Sequence, residues 1–249
     1  MAKLGIASIR YDKRSFAHPK KIQRILKDFT VKEESIEDAI LATDILRSDP
    51  RIDSDRIFIA GLSQGGMLAP RIDDEGGNYA GLIILAGSPR RLEEIMKTQL
   101  EDNSLKTNGI IMWLVNRQMK KMLPKLNRLY EMSDEEAKNM TVLGGMSAFY
   151  FKDMGKKRVS EYLKNHTKPT LIMHGEGDFQ VSVKKDFEEY KRILQDHPNA
   201  TFKLYPGLNH VFMPVVCGSI KDVKKEYGKP QNVESYVIED IAKWINSVG

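Results

Sequence analysis

The chain has 249 residues, of which 41% are hydrophobic and 29% charged, with one cysteine and a formal net charge of +5. That length suffices for one sizeable core. A single cysteine excludes an internal disulfide framework and a multi-cysteine zinc site, and Cys217 is read as a small buried hydrophobe. No apolar run reaches membrane-spanning length, and Met1-Ala-Lys-Leu-Gly-Ile6 runs directly into a segment patterned as a core strand, so neither a membrane anchor nor a signal peptide is expected. The expected location is cytoplasmic. The basic residues are spread along the chain among 34 acids, the pattern of a solvated surface, and no nucleic-acid partner is expected.

Strand and helix signals alternate from the start. Leu4-Gly-Ile-Ala-Ser-Ile-Arg-Tyr11 is predicted as a short strand. Thr30-Val-Lys-Glu33 has capping-box spacing and announces a helix whose apolar positions, Ile36, Ala39, Ile40, Thr43 and Leu46, follow the helical period until Ser48-Asp-Pro50 ends it. Arg56–Ala60 is predicted as a strand, Gln64–Ile72 as a helix and Ala80–Ala86 as a second, buried strand. Such alternation implies a parallel sheet covered on both faces.

The alternation stops after Ser88-Pro-Arg-Arg91. Residues 92–165 are amphipathic and hold eight of the twelve methionines: Met96, Met112, Met119, Met122, Met132, Met140, Met146 and Met154. This stretch is expected to be a helical cap inserted between two strands of a single domain spanning 1–249. Methionine stripes commonly provide adaptable core packing; lining an apolar substrate pocket is the sharper alternative. The sheet pattern resumes with a strand at Pro169–Met173, a helix face marked by Val183, Phe187, Tyr190, Ile193 and Leu194, and a strand at Thr201–Tyr205. A closing helix has Val233, Val237, Ile241, Trp244 and Val248 as its buried stripe.

Within this frame Gly61-Leu-Ser63-Gln-Gly65 fits Gly-x-Ser-x-Gly, placed between a predicted strand and a predicted helix. A serine on so sharp a turn adopts a strained backbone, and glycines two positions before and after it are expected to relieve collisions. The turn also sets the hydroxyl at a helix N-terminus, where N–H groups and the dipole stabilise developing negative charge. By itself the pattern also describes a glycine-rich turn that binds nothing. An unperturbed hydroxyl is a poor nucleophile, so chemistry requires a base and a group that orients the base.

Candidates stand downstream at strand ends. Asp178, in His174-Gly-Glu-Gly-Asp178, follows the strand ending near Met173, and His210, in Tyr205-Pro-Gly-Leu-Asn-His210, follows the strand ending at Tyr205. The order Ser63, Asp178, His210 is that of a hydrolase built on an open parallel sheet, which binds ligands at the carboxyl ends of its strands. Asp178 could instead cap the helix beginning near Val183, and Glu176 is the alternative acid; position favours Asp178. His18, His166, His174 and His197 are read as structural, and no metal-ligand spacing is present.

Six segments carry a resemblance: Ile9-Arg-Tyr-Asp-Lys-Arg14, Ser48-Asp-Pro-Arg-Ile-Asp53, Gly61-Leu-Ser-Gln-Gly-Gly66, Leu85-Ala-Gly-Ser-Pro89, Gly175-Glu-Gly-Asp178 and Tyr205-Pro-Gly-Leu-Asn-His210. Together they resemble the α/β-hydrolase superfamily, and more narrowly bacterial serine esterases of the dienelactone-hydrolase-like group, which includes cinnamoyl and feruloyl esterases with helical caps. The resemblance implies that Ser63 is the nucleophile, His210 the general base and then acid, Asp178 its orienting carboxylate, and the Gln64 N–H an oxyanion donor. It implies a small-molecule ester as substrate and no cofactor. The methionine-rich cap favours a hydrophobic or aromatic acyl group. Its basic residues Arg117, Lys120, Lys121, Lys125 and Arg128 are read as a solvated helix face rather than a steering patch.

One departure from the family stands out. Its members have several strands and a helix before the segment resembling Leu4–Tyr11, one of them ending in a His-Gly loop that supplies the second oxyanion donor. Here 62 residues precede Ser63 and no His-Gly pair occurs among them. An N-terminally shortened sheet is therefore expected, with a gap, a rearrangement or a strand from a second copy beside the Arg56–Ala60 strand; a homo-oligomer is one way to cover it. Tyr11 and Lys13 are the local candidates to replace part of the missing donor.

Overall fold

Four of the five predicted strands form. The computed structural model describes residues 1–101, 117, 120–122, 124–142, 145–218 and 223–248. Among them lies a parallel sheet in the order β1 (Phe58–Leu62), β2 (Gly81–Leu85), β3 (Thr170–Gly175) and β4 (Ala200–Tyr205). Every pair is parallel, with Ala60 opposite Ile83, Ile84 opposite Ile172 and Gly175 opposite Tyr205. All six residues of β3 and the first four of β2 are buried, which is why these strands read as unbroken apolar runs rather than alternating ones.

The helices that frame the sheet are α1 (Glu37–Ser48), α2 (Gln64–Ile72), α3 (Glu188–Ile193) and α4 (Ser235–Ser247). Ile83, Leu171 and Met173 join Val237, Trp244 and Ile245 of α4 in one apolar cluster. Strand alternation sends Ile84 and His174 to the opposite face. There the Ile84 Cγ2 methyl lies 3.2 Å from where a Gly66 Cβ would sit, and the Phe187 ring lies 5.8 Å from His174 and 6.1 Å from Phe202. Helices therefore cover both faces, as α/β alternation requires. Each fully buried leucine or isoleucine in these layers contributes about 1.5–3 kcal/mol.

The fifth predicted strand does not exist. Ala2–Leu4 form a 3-10 turn and residues 6–13 pair with nothing in the sheet. Met1 and Ile6 instead pack against the α4-side cluster, while Leu4, Ile9 and Tyr11 stay exposed. The physical reason is pairing: an alternating apolar pattern makes a strand only beside a ladder partner, and the segment covers the core with side chains where its backbone has no neighbour. β1 is accordingly an end strand, with Ala60 and Leu62 exposed.

Two smaller expectations also fail. Val233 precedes α4 and is exposed, because the helix begins only at Ser235. Cys217 is exposed rather than buried. The fully buried carboxylate of Glu226 collects the N–H groups of Val216, Cys217 and Gly218, so the loop is anchored by its backbone and the thiol faces outward.

The helix announced at Thr30 begins there. Glu33 accepts from the Thr30 N–H at 2.8 Å, but the Thr30 hydroxyl accepts from Lys32, not from Glu33, because the first turn is π-helical over Lys32–Ile36. Ile36 and Thr43 are buried, and Thr43 Oγ1 meets the Tyr79 hydroxyl at 2.8 Å.

The chain divides into two compact units, one of residues 1–10, 39–89 and 159–249 and the other of residues 11–38 and 90–158. The sheet, α2, α3 and α4 lie in the first. The second holds helices Leu92–Glu101, Asp134–Asn139 and Ala148–Met154, the middle one starting with a complete Ser133–Glu136 capping box. Its buried residues include Phe29, Leu126, Leu129, Tyr150 and Phe151, together with Glu34, which accepts from Ser15 Oγ at 2.7 Å and from the Tyr150 hydroxyl. Met122 and Met154 are buried and Met96, Met132, Met140 and Met146 partly so; Met112 and Met119 lie outside the described residues. Arg117, Lys120, Lys121, Lys125 and Arg128 are exposed. Tyr11 and Lys13 are engaged inside this unit, with the Tyr11 hydroxyl 3.4 Å from the Ser35 carbonyl and Lys13 Nζ 3.7 Å from Glu34.

Candidate active site

Ser63 sits where β1 turns into α2. Its N–H donates to the Leu85 carbonyl at 2.8 Å, a last bond to the neighbouring strand, and its own carbonyl accepts from Met67 at 3.0 Å, the first bond of the helix. Between the two, its backbone is at φ 54° and ψ −115°, a left-handed region that a side chain rarely occupies. Holding it there requires close backbone approach. A Cβ on Gly61 would lie 2.2 Å from the Gly65 carbonyl carbon and oxygen, and one on Gly66 would lie 2.9 Å from the Gly61 carbonyl. A Cβ on Gly65 would meet nothing within 4 Å. The crowded glycines are therefore Gly61 and Gly66, which correct the expected pair Gly61 and Gly65: α2 climbs past β1 at Gly66, while Gly65 faces open space.

Gln64 is the first residue of α2, so its N–H belongs to the first turn, whose backbone donors point out of the helix N-terminus. The dipole of α2 points its positive end at Ser63.

Asp178 and His210 are brought together. His210 Nδ1 lies 2.7 Å from Asp178 Oδ2, and both residues are buried. The approach depends on Gly175, where a Cβ would stand 2.5 Å from the carbonyls of Leu208 and Asn209, so only glycine lets the histidine loop close over the end of β3. Asn209 braces that loop: its Oδ1 accepts from Val211 and Met213, and its Nδ2 donates to Glu226 at 2.8 Å. Burial pushes the Glu226 carboxyl up, but the bonds from Asn209 and the loop N–H groups outweigh it and hold it below its ordinary value.

Asp178 is fixed by an Asx turn, with Oδ1 accepting from the N–H of Gln180 at 2.8 Å and of Val181 at 3.0 Å. It does not cap the following helix; Ser182 does, accepting from the Lys185 N–H at 3.2 Å. Glu176 is exposed and takes no part. Burial raises the Asp178 carboxyl, yet hydrogen bonds from His174 and His210 and from the Val181 N–H bring it down to about 2, so it is an anion at neutral pH.

His174, read from the sequence as structural, brings Nε2 to 3.3 Å from Asp178 Oδ2 and 3.1 Å from the Val181 carbonyl. The available signal was its spacing, four residues before Asp178 across a turn with two glycines. The remaining histidines lie elsewhere: His166 and His197 stack with ring centroids 5.9 Å apart beside Asp73, and His18 is exposed.

Ser63, Asp178 and His210 follow β1, β3 and β4, and parallel pairing puts all three at the same carboxyl edge of the sheet. Among the described residues Ser63 Oγ forms no hydrogen bond to His210. Nucleophile–base bonds of this type commonly tighten only around a bound substrate. The arrangement supplies a strained hydroxyl at a helix N-terminus together with an imidazole whose Nδ1 faces an anion, leaving Nε2 to exchange protons.

A model of the family described as Serine aminopeptidase, S33 matches residues 1–213. Esterase EstD of Thermotoga maritima is 32% identical over 241 residues, covering 97% of this chain and 53% of that protein, so the chain spans about half the length of this curated relative. Among solved structures, Est1E from Butyrivibrio proteoclasticus is similar with a TM-score of 0.48 at 19% identity, over 86% of this chain and 72% of that one. The Pyrococcus furiosus esterase Pf2001 gives a TM-score of 0.49 at 14% identity, over 88% and 63%. Because the matching family model runs from Met1 to Met213, across the sheet and past His210, this chain belongs to the α/β-hydrolase family described as Serine aminopeptidase, S33.

Proposed function

We propose that the chain carries the acyl-transfer centre of a serine hydrolase acting on small carboxylic esters. Ser63 Oγ attacks the ester carbonyl carbon while His210 Nε2 takes its proton, and the Asp178 carboxylate stabilises the imidazolium that forms. The oxyanion develops at the N-terminus of α2 beside the Gln64 N–H. Collapse breaks the carbon–oxygen bond to the alcohol, which leaves with the proton from His210. Water then attacks the acyl-serine by the same route, releasing the acid and restoring Ser63.

The observation that carries this reading is the 2.7 Å contact of buried His210 with an anionic Asp178, at the same sheet edge as a serine held at φ 54°. The esterase relative supports ester hydrolysis. The methionine content of residues 92–165 supports a hydrophobic or aromatic acyl group, with that segment as a cap.

The family description favours a second reading, a peptidase on short peptides, which would use the same three residues. Parallel assays on p-nitrophenyl esters and aminoacyl p-nitroanilides separate the two. Ester turnover exceeding anilide turnover by about a hundredfold or more is the expected result. Comparable rates, or a preference for anilides, would install the peptidase in its place.

A further inference from the structure

We infer that His174 is a positioning residue of this centre, its Nε2–H holding the Asp178 carboxylate in the orientation that presents Oδ2 to His210; the inference rests on the triad reading above. Nε2 lies 3.1 Å from the Val181 carbonyl and 3.3 Å from Asp178 Oδ2, and both of those groups only accept, so the proton belongs on Nε2. The ring is 1% exposed and rests against Phe187, so it is held in place by packing.

The bonds close on themselves. The Val181 N–H fixes Asp178 Oδ1 at 3.0 Å, the Val181 carbonyl accepts from His174 Nε2–H at 3.1 Å, and the same N–H faces Asp178 Oδ2 at 3.3 Å as the longer arm of a forked contact. A carboxylate pinned only at Oδ1 turns freely, since its last torsion is broad. His210 keeps its Nδ1–H on Oδ2 while Nε2 exchanges the Ser63 proton, but His210 is carried on a loop. His174 is carried on β3 and gives Oδ2 a second donor, so the plane of the carboxylate is set by the sheet as well as by that loop.

The charge on Asp178 agrees with this, since His174 is, with His210 and the Val181 N–H, among the groups that oppose burial and keep the carboxyl ionised. The ionisable groups that face Asp178 are His174 from β3, His210 from the loop after β4, and the Tyr227 phenol, whose own proton the Asp178 charge helps to retain. Removing a donor from the anion raises the proton affinity of the coupled Asp178–His210 pair. The acid limb of the pH–rate profile then moves to higher pH.

The test compares wild type, His174→Phe and His174→Gln on p-nitrophenyl acetate across pH. Phenylalanine keeps the packing and deletes the donor, while glutamine returns a donor near the position of Nε2. Expected for His174→Phe is a loss in kcat of about tenfold with KM changed less than about twofold, and an acid limb raised by about half a pH unit. Expected for His174→Gln is recovery of most of both. A His174→Phe enzyme with wild-type kcat and pH profile, or a His174→Gln enzyme as impaired as His174→Phe, would overturn the inference. Long-range proton–nitrogen NMR of the histidines in the wild type covers the case of an unfolded variant. A proton on His174 Nε2 throughout the active pH range supports the inference, and an unprotonated Nε2 refutes it. A wild type without ester turnover would sink the esterase reading, while the NMR result would still decide the state of His174.

Discussion

Replacing His210 with alanine lowers turnover of p-nitrophenyl acetate by about 10,000-fold while the protein stays folded. Both halves of that expectation come from the partners of Asp178. Without the imidazole the proposed centre has lost the base that takes the Ser63 proton, and the hydroxyl returns to its ordinary reactivity. The buried carboxylate still keeps the N–H groups of Gln180 and Val181 and the ring of His174, so its charge is not left without donors. The stability cost is accordingly that of one lost hydrogen bond and a small cavity, about 1–3 kcal/mol. Steady-state kinetics and a urea melt on the same preparation read the two effects separately. Activity within tenfold of wild type would remove His210 from the mechanism.

Gly61→Ala is expected to abolish activity and destabilise the fold by about 3 kcal/mol or more, whereas Gly65→Ala leaves stability unchanged or raises it by about 0.5–1 kcal/mol. The two glycines are equivalent in the Gly-x-Ser-x-Gly pattern and opposite in their surroundings. A methyl on Gly61 would stand 2.2 Å from backbone atoms of Gly65, where no side-chain rearrangement can make room. A methyl on Gly65 enters open space on a helical residue, where alanine loses less chain entropy on folding than glycine does. Denaturant midpoints of the two variants measure the contrast directly. Equal destabilisation would show that the elbow is crowded on both sides of Ser63.

Much of the frame was legible in the residues, because burial leaves its mark on composition. β2 and β3 are buried on both faces and read as continuous apolar runs, and α2 was bounded to the residue by the glycine turn before it. β1 was shifted by two residues and β4 starts one residue earlier than expected, since the pairing ladder rather than the apolar pattern sets where a strand begins and stops. Leu4–Tyr11 failed for the same reason in stronger form: alternation is a local property and pairing is not. Asp178 and His210 could be chosen because each follows a strand that formed, but nothing local to either shows that Gly175 is what lets them meet. His174 escaped because a lone histidine on a buried strand has many structural uses. Its polar contacts are with Val181 and Asp178, which a tight turn folds back onto it. Cys217 was expected to be buried because a free cysteine usually packs as a small hydrophobe, whereas the orientation of its loop is set by Glu226, nine residues further on.

Incubation with a fluorophosphonate followed by intact-mass measurement asks whether Ser63 is a nucleophile. A reagent of this class phosphonylates a serine only where a base activates it, with loss of fluoride. The wild type is expected to gain the mass of one phosphonyl group, and Ser63→Ala to gain none. No adduct on the wild type, or an adduct that persists in Ser63→Ala, would contradict the assignment.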